Sequence, residues 1–174
     1  MTRHSLIPRI PLRVALLGSS LLAIACGVPS VDDDITDLKA AFRFGAYEHV
    51  VERAPALVQR CKSEGAGEEK AWKVEKFRVL ALGKLGKGEE VSEELIRLES
   101  AFGDQVTPGL YGRVGGYLTD SGNYLAAITV LDAGTKKFPD KSALFRRLLE
   151  SCKERATSAG DSAAIKKLER LGDL

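Results

Sequence analysis

The chain is expected to be an all-α protein of about four helical hairpins, and three observations lead to this expectation. Apolar residues recur with helical spacing from Ile35 onward. Alternating apolar and polar runs of strand length are missing. Glycines recur at intervals of 41, 36 and 38 residues, at Gly45, Gly86, Gly122 and Gly160. Because glycine lets the chain leave a helix through the left-handed region, each of these four positions predicts a helix–helix turn.

The first 25 residues have the layout of an export signal. Three arginines precede an uncharged apolar run that spans 14–25 and ends in Ala23-Ile24-Ala25, directly before Cys26. The run has about twelve residues, well short of the roughly 20 that a membrane-spanning helix needs. We therefore interpret 1–25 as a segment that is cleaved. Its basic residues are Arg3, Arg9 and Arg13.

The residues around Cys26 resemble the lipobox of bacterial lipoproteins, in which the cysteine is diacylated and becomes the new N-terminus. That family prefers Leu three residues before the cysteine, where this chain has Ala23, and Leu22 lies one residue earlier. The resemblance implies lipidation at Cys26, whereas cleavage by ordinary signal peptidase would leave a free thiol, and the sequence leaves both routes open. Gly27 implies, by the same resemblance, sorting to the outer membrane, facing the periplasm.

Charge excludes one class of partner for the mature chain. Residues 1–25 contain three arginines and no acidic residue, so the remainder carries 23 basic against 24 acidic side chains, a formal charge of −1. No strong attraction to nucleic acid follows. Residues 26–34 form a short tether that ends in three aspartates, and one of these is expected to cap a helix that begins near Ile35.

Two cysteines follow Cys26, and both thiols are open to two interpretations. In an oxidising envelope Cys61 and Cys152 could form a disulfide. They lie in different predicted hairpins, however, and a disulfide needs Cα atoms within about 7 Å of each other. Two buried thiols that act as small apolar groups are therefore the preferred interpretation.

The third hairpin resembles a tetratricopeptide repeat. Thr107 and Pro108 form a good helix start, and small residues at Gly115 and Ala127 allow two helices to cross closely. The matching positions are Tyr111, Val114, Gly115, Leu118, Gly122, Asn123, Tyr124, Ala127, Leu131 and Pro139. The resemblance implies a right-handed α-solenoid of about four tetratricopeptide-like hairpins over 35–174.

The other hairpins match this pattern less well. In the second, Val79, Leu82, Val91 and Leu95 keep the apolar skeleton. In the first, Pro55 is expected to interrupt the second helix. The fourth is expected to be a solvent-facing terminal hairpin with exposed apolar residues at its edge, such as Leu168 and Leu171. The small or branched residue five positions after each turn glycine should face the preceding helix; these are Val50, Val91, Ala127 and Ile165.

No catalytic or metal-binding constellation is recognisable in the sequence. His49 is the one histidine outside 1–25, which leaves little for a zinc site or a histidine-based triad. The acidic pairs are interpreted as helix-dipole partners and solvated faces. We therefore expect no enzyme activity, no cofactor and no metal. The pairs are Glu68-Glu69, Glu89-Glu90 and Glu93-Glu94.

Binding is the better hypothesis, because the first helices of tetratricopeptide hairpins line a concave groove. The resemblance places basic and apolar residues of the first two hairpins there, and small residues of the third. Such a groove would accept an acidic or carboxylate-ended peptide, although a plain solvated lysine-rich face is the alternative. The groove residues are Ile35, Lys39, Phe42, Arg43, Lys73, Lys76, Leu80 and Lys84, followed by Gly109, Gly112, Gly116, Thr119 and Asp120.

These interpretations combine into one expected function. The chain is expected to be a lipid-anchored envelope lipoprotein that binds other envelope proteins as a scaffold during assembly of an envelope complex. One alternative is a structural protein that assembles with copies of itself through its terminal hairpins. Another is a cell-wall hydrolase that uses surface carboxylates, which the missing catalytic constellation disfavours.

Overall fold

A computed structural model describes residues 29–172, and all regular secondary structure in that range is helical, which confirms the all-α prediction. The eight helices form four consecutive hairpins. Their bounds are α1 Val31–Arg43, α2 Tyr47–Ser63, α3 Glu68–Lys84, α4 Gly88–Phe102, α5 Pro108–Asp120, α6 Tyr124–Lys137, α7 Ser142–Ala159 and α8 Ser162–Arg170. Short 3-10 turns, Gly103–Gln105 and Pro139–Lys141, follow α4 and α6.

The hairpins pack in chain order. The first helices form a series in which α1 contacts α3, α3 contacts α5 and α5 contacts α7. The second helices of the last three hairpins form a parallel series, α4 on α6 and α6 on α8. The first junction differs, because α2 packs extensively on α3 and has little or no direct contact with α4. Both α2 and α4 therefore rest on α3 with a gap between them.

All four predicted turn glycines have a positive φ, as expected. The angles are 83° at Gly45, 70° at Gly86, 83° at Gly122 and 71° at Gly160. In each turn the residue after the glycine donates its N–H to the carbonyl five residues earlier, at 2.9 to 3.0 Å. This is the Schellman arrangement, which satisfies a free carbonyl at a helix end. One turn geometry therefore recurs in all four hairpins.

The first helix begins earlier than the sequence analysis predicted. Ser30 is the N-cap, its hydroxyl accepts from the Asp33 N–H, and the Asp33 carboxylate accepts from the Ser30 N–H in return. This capping box pulls the aspartates into the first turn of α1. Within the proposed tether, residues 31–34 are thus helical. Residues 26–28 lie outside the described range, as do the signal segment and the proposed lipidation site Cys26.

The second hairpin helix also corrects one expectation. Pro55 lies inside α2, which runs without interruption from Tyr47 to Ser63. Packing of α2 on both α1 and α3 holds the helix through the proline. Cys61 and Cys152 are buried free thiols, which confirms the interpretation without a disulfide. Among residues 29–172 no helix is both long and apolar enough to cross a bilayer.

The core follows the predicted apolar skeleton except in the last hairpin. Val50, Val91 and Ala127 are fully buried, but Ile165 is half-buried, and its neighbour Ala164 is buried instead. Leu168, expected at an exposed edge, is 3% exposed, whereas Leu171 is 39% exposed. The helix α8 contacts α6 and α7. Since no later hairpin within 29–172 covers α8, its apolar residues turn toward these two helices.

Close helix contacts occur at glycines in the second half of the protein. A Cβ placed on Gly115 would lie 2.5 Å from Leu131 Cδ2, and one placed on Gly88 would lie 2.2 Å from Ala126 Cβ. Thr107 caps α5 and Pro108 follows at its first position, as predicted. Gly116 follows Gly115 in α5, and a Cβ placed on Gly116 would have no heavy atom of another helix within 4 Å. Neighbouring glycines of α5 therefore have different roles.

We predict opposite effects of alanine at these two neighbours. Gly115→Ala should lower the free energy of unfolding by about 2 kcal/mol, because the new methyl overpacks against Leu131. Gly116→Ala should raise it by up to about 1 kcal/mol through helix propensity alone. Chemical denaturation monitored by circular dichroism measures both. Equal effects of the two substitutions would contradict the close crossing of α5 and α6.

Candidate functional site

The predicted groove residues of the first hairpin have two different environments. Lys39 and Arg43 are exposed on α1, and neither has a carboxylate oxygen within 4.0 Å in the described range. Phe42 instead packs against Tyr47 and Phe77, with ring centroids 5.4 and 5.6 Å apart. Phe42 therefore joins the first hairpin to α3, and the two cations form the accessible part of this face.

The predicted residues of α3 also divide into different environments. Lys73 is paired with Glu69 at 2.7 Å, one turn earlier on the same helix. Leu80 is only 3% exposed and belongs to the core. The Lys84 ammonium lies 3.8 Å from the centroid of the Tyr117 ring on α5, a cation–π contact. Lys76 is half-buried and has neither a carboxylate partner nor an aromatic one in the described range.

A small cavity of about 160 Å³ lies between α3 and α5. Two cations line it, Lys76 from α3 and Arg113 from α5, and neither has a carboxylate within 4.0 Å among residues 29–172. Two long basic side chains without acidic partners beside one polar cavity form an anion-attracting surface. The other lining residues are Trp72, Leu80, Gln105, Thr107 and Leu110.

Arg113 was missed by sequence reasoning, which projected three glycines, Thr119 and Asp120 of α5 onto the groove. The available signal was that Arg113 is the one charged residue of α5 before Asp120. Of the projected glycines, Gly116 faces open space, a Cβ on Gly109 would lie 3.8 Å from Thr107 Oγ1, and a Cβ on Gly112 would lie 3.2 Å from Leu148 on α7.

The last two groove positions projected onto α5 also differ from each other. Thr119 is buried and donates a hydrogen bond to the Gly115 carbonyl at 2.9 Å. Asp120 pairs with Arg155 of α7. Neither side chain is therefore free to contact a peptide laid along the first helices.

A second cavity, of about 500 Å³, is wedge-shaped and lies on α3 between α2 and α4. Its apolar wall is formed by Val58, Cys61, Ala71, Ala101 and Phe102. The polar residues at the wedge are Lys62, Glu68, Glu75 and Arg97, and two glycines of the α2–α3 loop, Gly65 and Gly67, complete the lining. The wedge occupies the gap that results from the missing contact between α2 and α4.

Four charged side chains meet beside the wedge. Glu94 is 5% exposed and accepts from Arg78 at 2.6 Å and from Arg97 Nε at 3.2 Å. Glu75 is 4% exposed, and Arg97 Nη2 lies 2.6 Å from its Oε2. The N–H groups of Arg97 are poorly aligned with Oε2, so Glu75 has an ion-pair partner there but no well-formed hydrogen bond. The Arg78 Nε likewise has no acceptor.

The two carboxyl groups differ in acidity. Burial raises the pKa of Glu75 above the ordinary glutamate value, against the opposing effect of Arg97. Burial also acts on Glu94, but hydrogen bonds and charge from Arg97 and Arg78 outweigh it and lower the pKa of Glu94. The two glutamates in turn raise the pKa of Arg97, first through its hydrogen bond to Glu94. The unequal sharing of donors therefore leaves Glu75 as the carboxyl group that ionises with more difficulty.

This cluster overturns part of the interpretation of the acidic pairs. Glu68, Glu69, Glu89 and Glu90 lie in first helical turns, as expected of dipole partners. Glu94 does not belong to a solvated face, because it turns inward between Val91 and Leu95. A helical-face count would have found both buried acids, since each lies three or four residues from buried apolar positions on its helix.

Comparison with protein families, curated proteins and solved structures found no match to this chain. Residues 29–172 contain no group of three or more His, Cys, Asp or Glu side chains placed to hold a metal ion. The two surfaces just described are the candidate sites: the Lys76–Arg113 surface between α3 and α5, and the wedge with Glu75.

The unequal glutamates predict opposite pH effects on stability. A pKa that is higher in the folded than in the unfolded state stabilises the folded protein at low pH, and this stabilisation is lost as pH rises. Glu75→Gln, which cannot ionise, should therefore become more stabilising relative to wild type from about pH 4 to about pH 7. Glu94→Gln should cost about 3 kcal/mol at pH 7, because Arg78 and Arg97 lose their buried partner. That cost should shrink as pH falls through the lowered pKa of Glu94.

Urea denaturation of the two variants and wild type at several pH values measures these differences. The exposed Glu93→Gln variant is the matched control and should follow wild type at each pH. If both buried-site variants changed stability in the same direction with pH, the unequal distribution of donors would be wrong.

Proposed function

We propose that the protein is a lipid-anchored envelope lipoprotein that acts as a protein-binding scaffold, built as a right-handed α-solenoid of tetratricopeptide-like hairpins. The serial contacts of α1, α3, α5 and α7 support the architecture, as does the recurrence of one turn geometry at all four hairpins. The close crossing at Gly115 is what the steric mechanism of a tetratricopeptide repeat requires.

The anchoring part of the proposal rests on the sequence up to Cys26. Since α1 begins at Val31, five residues, 26–30, would connect the acyl group to the folded part. They reach at most about 17 Å when extended, so the helical domain would be held against the membrane surface. Arg60 donates to the Pro29 carbonyl at 2.9 Å, which ties the end of this short connection to α2. We place the protein on the outer membrane, facing the periplasm.

The observation that carries the binding part of the proposal is the Lys76–Arg113 surface. Its two cations lack acidic partners in the described structure and come from successive first helices. An acidic segment or the carboxylate end of an envelope protein would supply the missing charge through charge-assisted hydrogen bonds. Lys84, which lies on Tyr117 on the same two helices, would extend the surface toward the turn end.

Self-assembly is a second candidate function, and one surface favours it. Leu125 and Leu171 are 44% and 39% exposed and line a cavity of about 480 Å³ between α6 and α8. Three basic residues border them, Lys166, Lys167 and Arg170. A scaffold of single copies has a mass independent of protein concentration, whereas head-to-tail assembly through this end would raise the mass with concentration.

Charge reversal at Lys76 and Arg113 is predicted to remove partner binding while the fold is kept. The double variant Lys76→Glu, Arg113→Glu should reduce crosslinked partners from native envelopes at least tenfold, since an acidic partner would then face two carboxylates. The control is Lys136→Glu, a 73% exposed position on α6 outside the Lys76–Arg113 surface. This variant should capture partners as wild type does. Quantitative mass spectrometry of the captured proteins measures both. Undiminished capture by the double variant would reject this surface.

Lipidation predicts the chemistry of the mature N-terminus. Protein isolated from the envelope should begin at Cys26 and carry acyl chains, so its mass should exceed that of residues 26–174. Cys26→Ala should release the domain from the membrane fraction, because an apolar anchor would be lost. Intact-mass analysis and fractionation measure these outcomes. Mature protein that retains residues 1–25 would contradict the proposed localisation. An unmodified Cys26 at the mature N-terminus would indicate secretion without a lipid anchor.

A further inference from the structure

The wedge between α2 and α4 has the composition of a small-molecule site. Its volume of about 500 Å³ lies within the range of ligand pockets. Small side chains, Ala71 on the floor and Ala101 on one wall, leave the space open, and Val58 and Phe102 make the walls apolar. A ligand that enters it would therefore meet an apolar surface with a few polar groups at one side.

Glu75 is the buried polar residue at that side of the wedge, and it would determine which ligand is bound. It is 4% exposed, lines the wedge and has one oxygen, Oε2, without an aligned donor. A buried acceptor without a donor costs free energy, so a group that donates to it would be bound preferentially. Glu94, by contrast, already receives donors from Arg78 and Arg97. The wedge thus contains a buried carboxylate oxygen whose one close partner, the poorly aligned Arg97, a better-placed donor could replace.

We propose that the wedge binds a small amphipathic amine, with its apolar body against Val58, Ala71 and Phe102 and its ammonium group donating to Glu75. The Arg97 side chain is 44% exposed and forms the movable part of the polar wall. When the ammonium arrives, Arg97 can withdraw from Glu75 and keep its two contacts with Glu94. The two glutamates and two arginines are charge-neutral together, so the ligand adds one positive charge, which the partly exposed Arg97 can carry toward solvent.

The other groups at the wedge are consistent with an amine and with reversible binding. The rim carries one acid, Glu68, and one base, Lys62, so it adds no net charge. Cys61 is buried, and burial raises the pKa of its thiol, which disfavours the nucleophilic thiolate. This site lies apart from the Lys76–Arg113 surface and does not depend on the scaffold proposal.

Trp72 makes the proposal directly testable. It is the single tryptophan of the chain, and its ring centroid lies 5.4 Å from that of Phe102, a wall residue of the wedge. Three probes of similar shape should be titrated into the full chain: 2-phenylethylamine, 2-phenylethanol and 3-phenylpropionate. We expect a saturable change in Trp72 fluorescence with the amine and a weaker response with the alcohol. Because Trp72 also lines the cavity of the Lys76–Arg113 surface, the carboxylate is titrated into the Lys76→Glu, Arg113→Glu variant, where we expect no response.

Three variants separate recognition by Glu75 from simple partition into an apolar gap. Glu75→Gln should weaken binding of 2-phenylethylamine at least tenfold, because the charged acceptor becomes a neutral amide. Ala101→Phe, at an exposed helix position, should fill the wedge and remove binding of the amine and the alcohol. Glu93→Gln, exposed on the same helix as Glu94, should bind as wild type does.

Several results would overturn the proposal. These are no saturable response to the amine, binding of 3-phenylpropionate by the Lys76→Glu, Arg113→Glu variant as tight as that of the amine by wild type, or amine binding unchanged in Glu75→Gln. If Glu75→Gln does not fold, Ala101→Phe together with the ranking of the three probes decides: retained amine binding in that variant, or equal binding of amine and alcohol by wild type, rejects the site.

Discussion

Close approach of helices at glycines holds the second half of this protein together. At Gly88, Gly115 and Gly134 an added Cβ would come within 2.2 to 2.5 Å of a side chain on a neighbouring helix. The contacted residues are Ala126, Leu131 and Phe145, so the three sites connect α4 to α6, α5 to α6 and α6 to α7 in turn. Such spacing allows side chains to interlock at the density of a protein interior. The larger apolar cluster follows this chain of contacts from α3 to α8.

The first junction is organised differently, and the wedge follows from this contrast. Charged residues lie beside the gap between α2 and α4, which have little or no contact with each other. They are Glu75, Arg78, Glu94 and Arg97. Asp34, also buried, pairs with Arg53 and with Arg60 on α2. Buried ion pairs need matched geometry because each charge loses its hydration. The tightly packed end is thus suited to rigid support, and the polar end has the wedge with its buried charged groups.

Local features were predicted well because their causes are local. A glycine at a helix end avoids a Cβ clash within a few residues. Thr107 accepts a hydrogen bond from an N–H of the first turn of α5, and Pro108 begins that helix. The start of α1 was predicted too late, although its cause is also local. The helix is capped by Ser30, which forms reciprocal hydrogen bonds with Asp33, and not by one of the aspartates. The errors at Ile165 and Leu168 have another cause, since exposure at the last helix depends on which neighbours cover it.

The sequence by itself determined the helical class, the four hairpins and the turns between them, because helical periodicity and glycine placement act over short stretches of chain. Only the tertiary structure decided which charged residues lie inside. Glu75 and Glu94 are buried only once α4 packs on α3, where Arg78 and Arg97 pair with them. In the same way Arg113 joins Lys76 only once α5 packs on α3. Charge partners across helices depend on packing distance and rotation, which residue spacing along one helix does not encode.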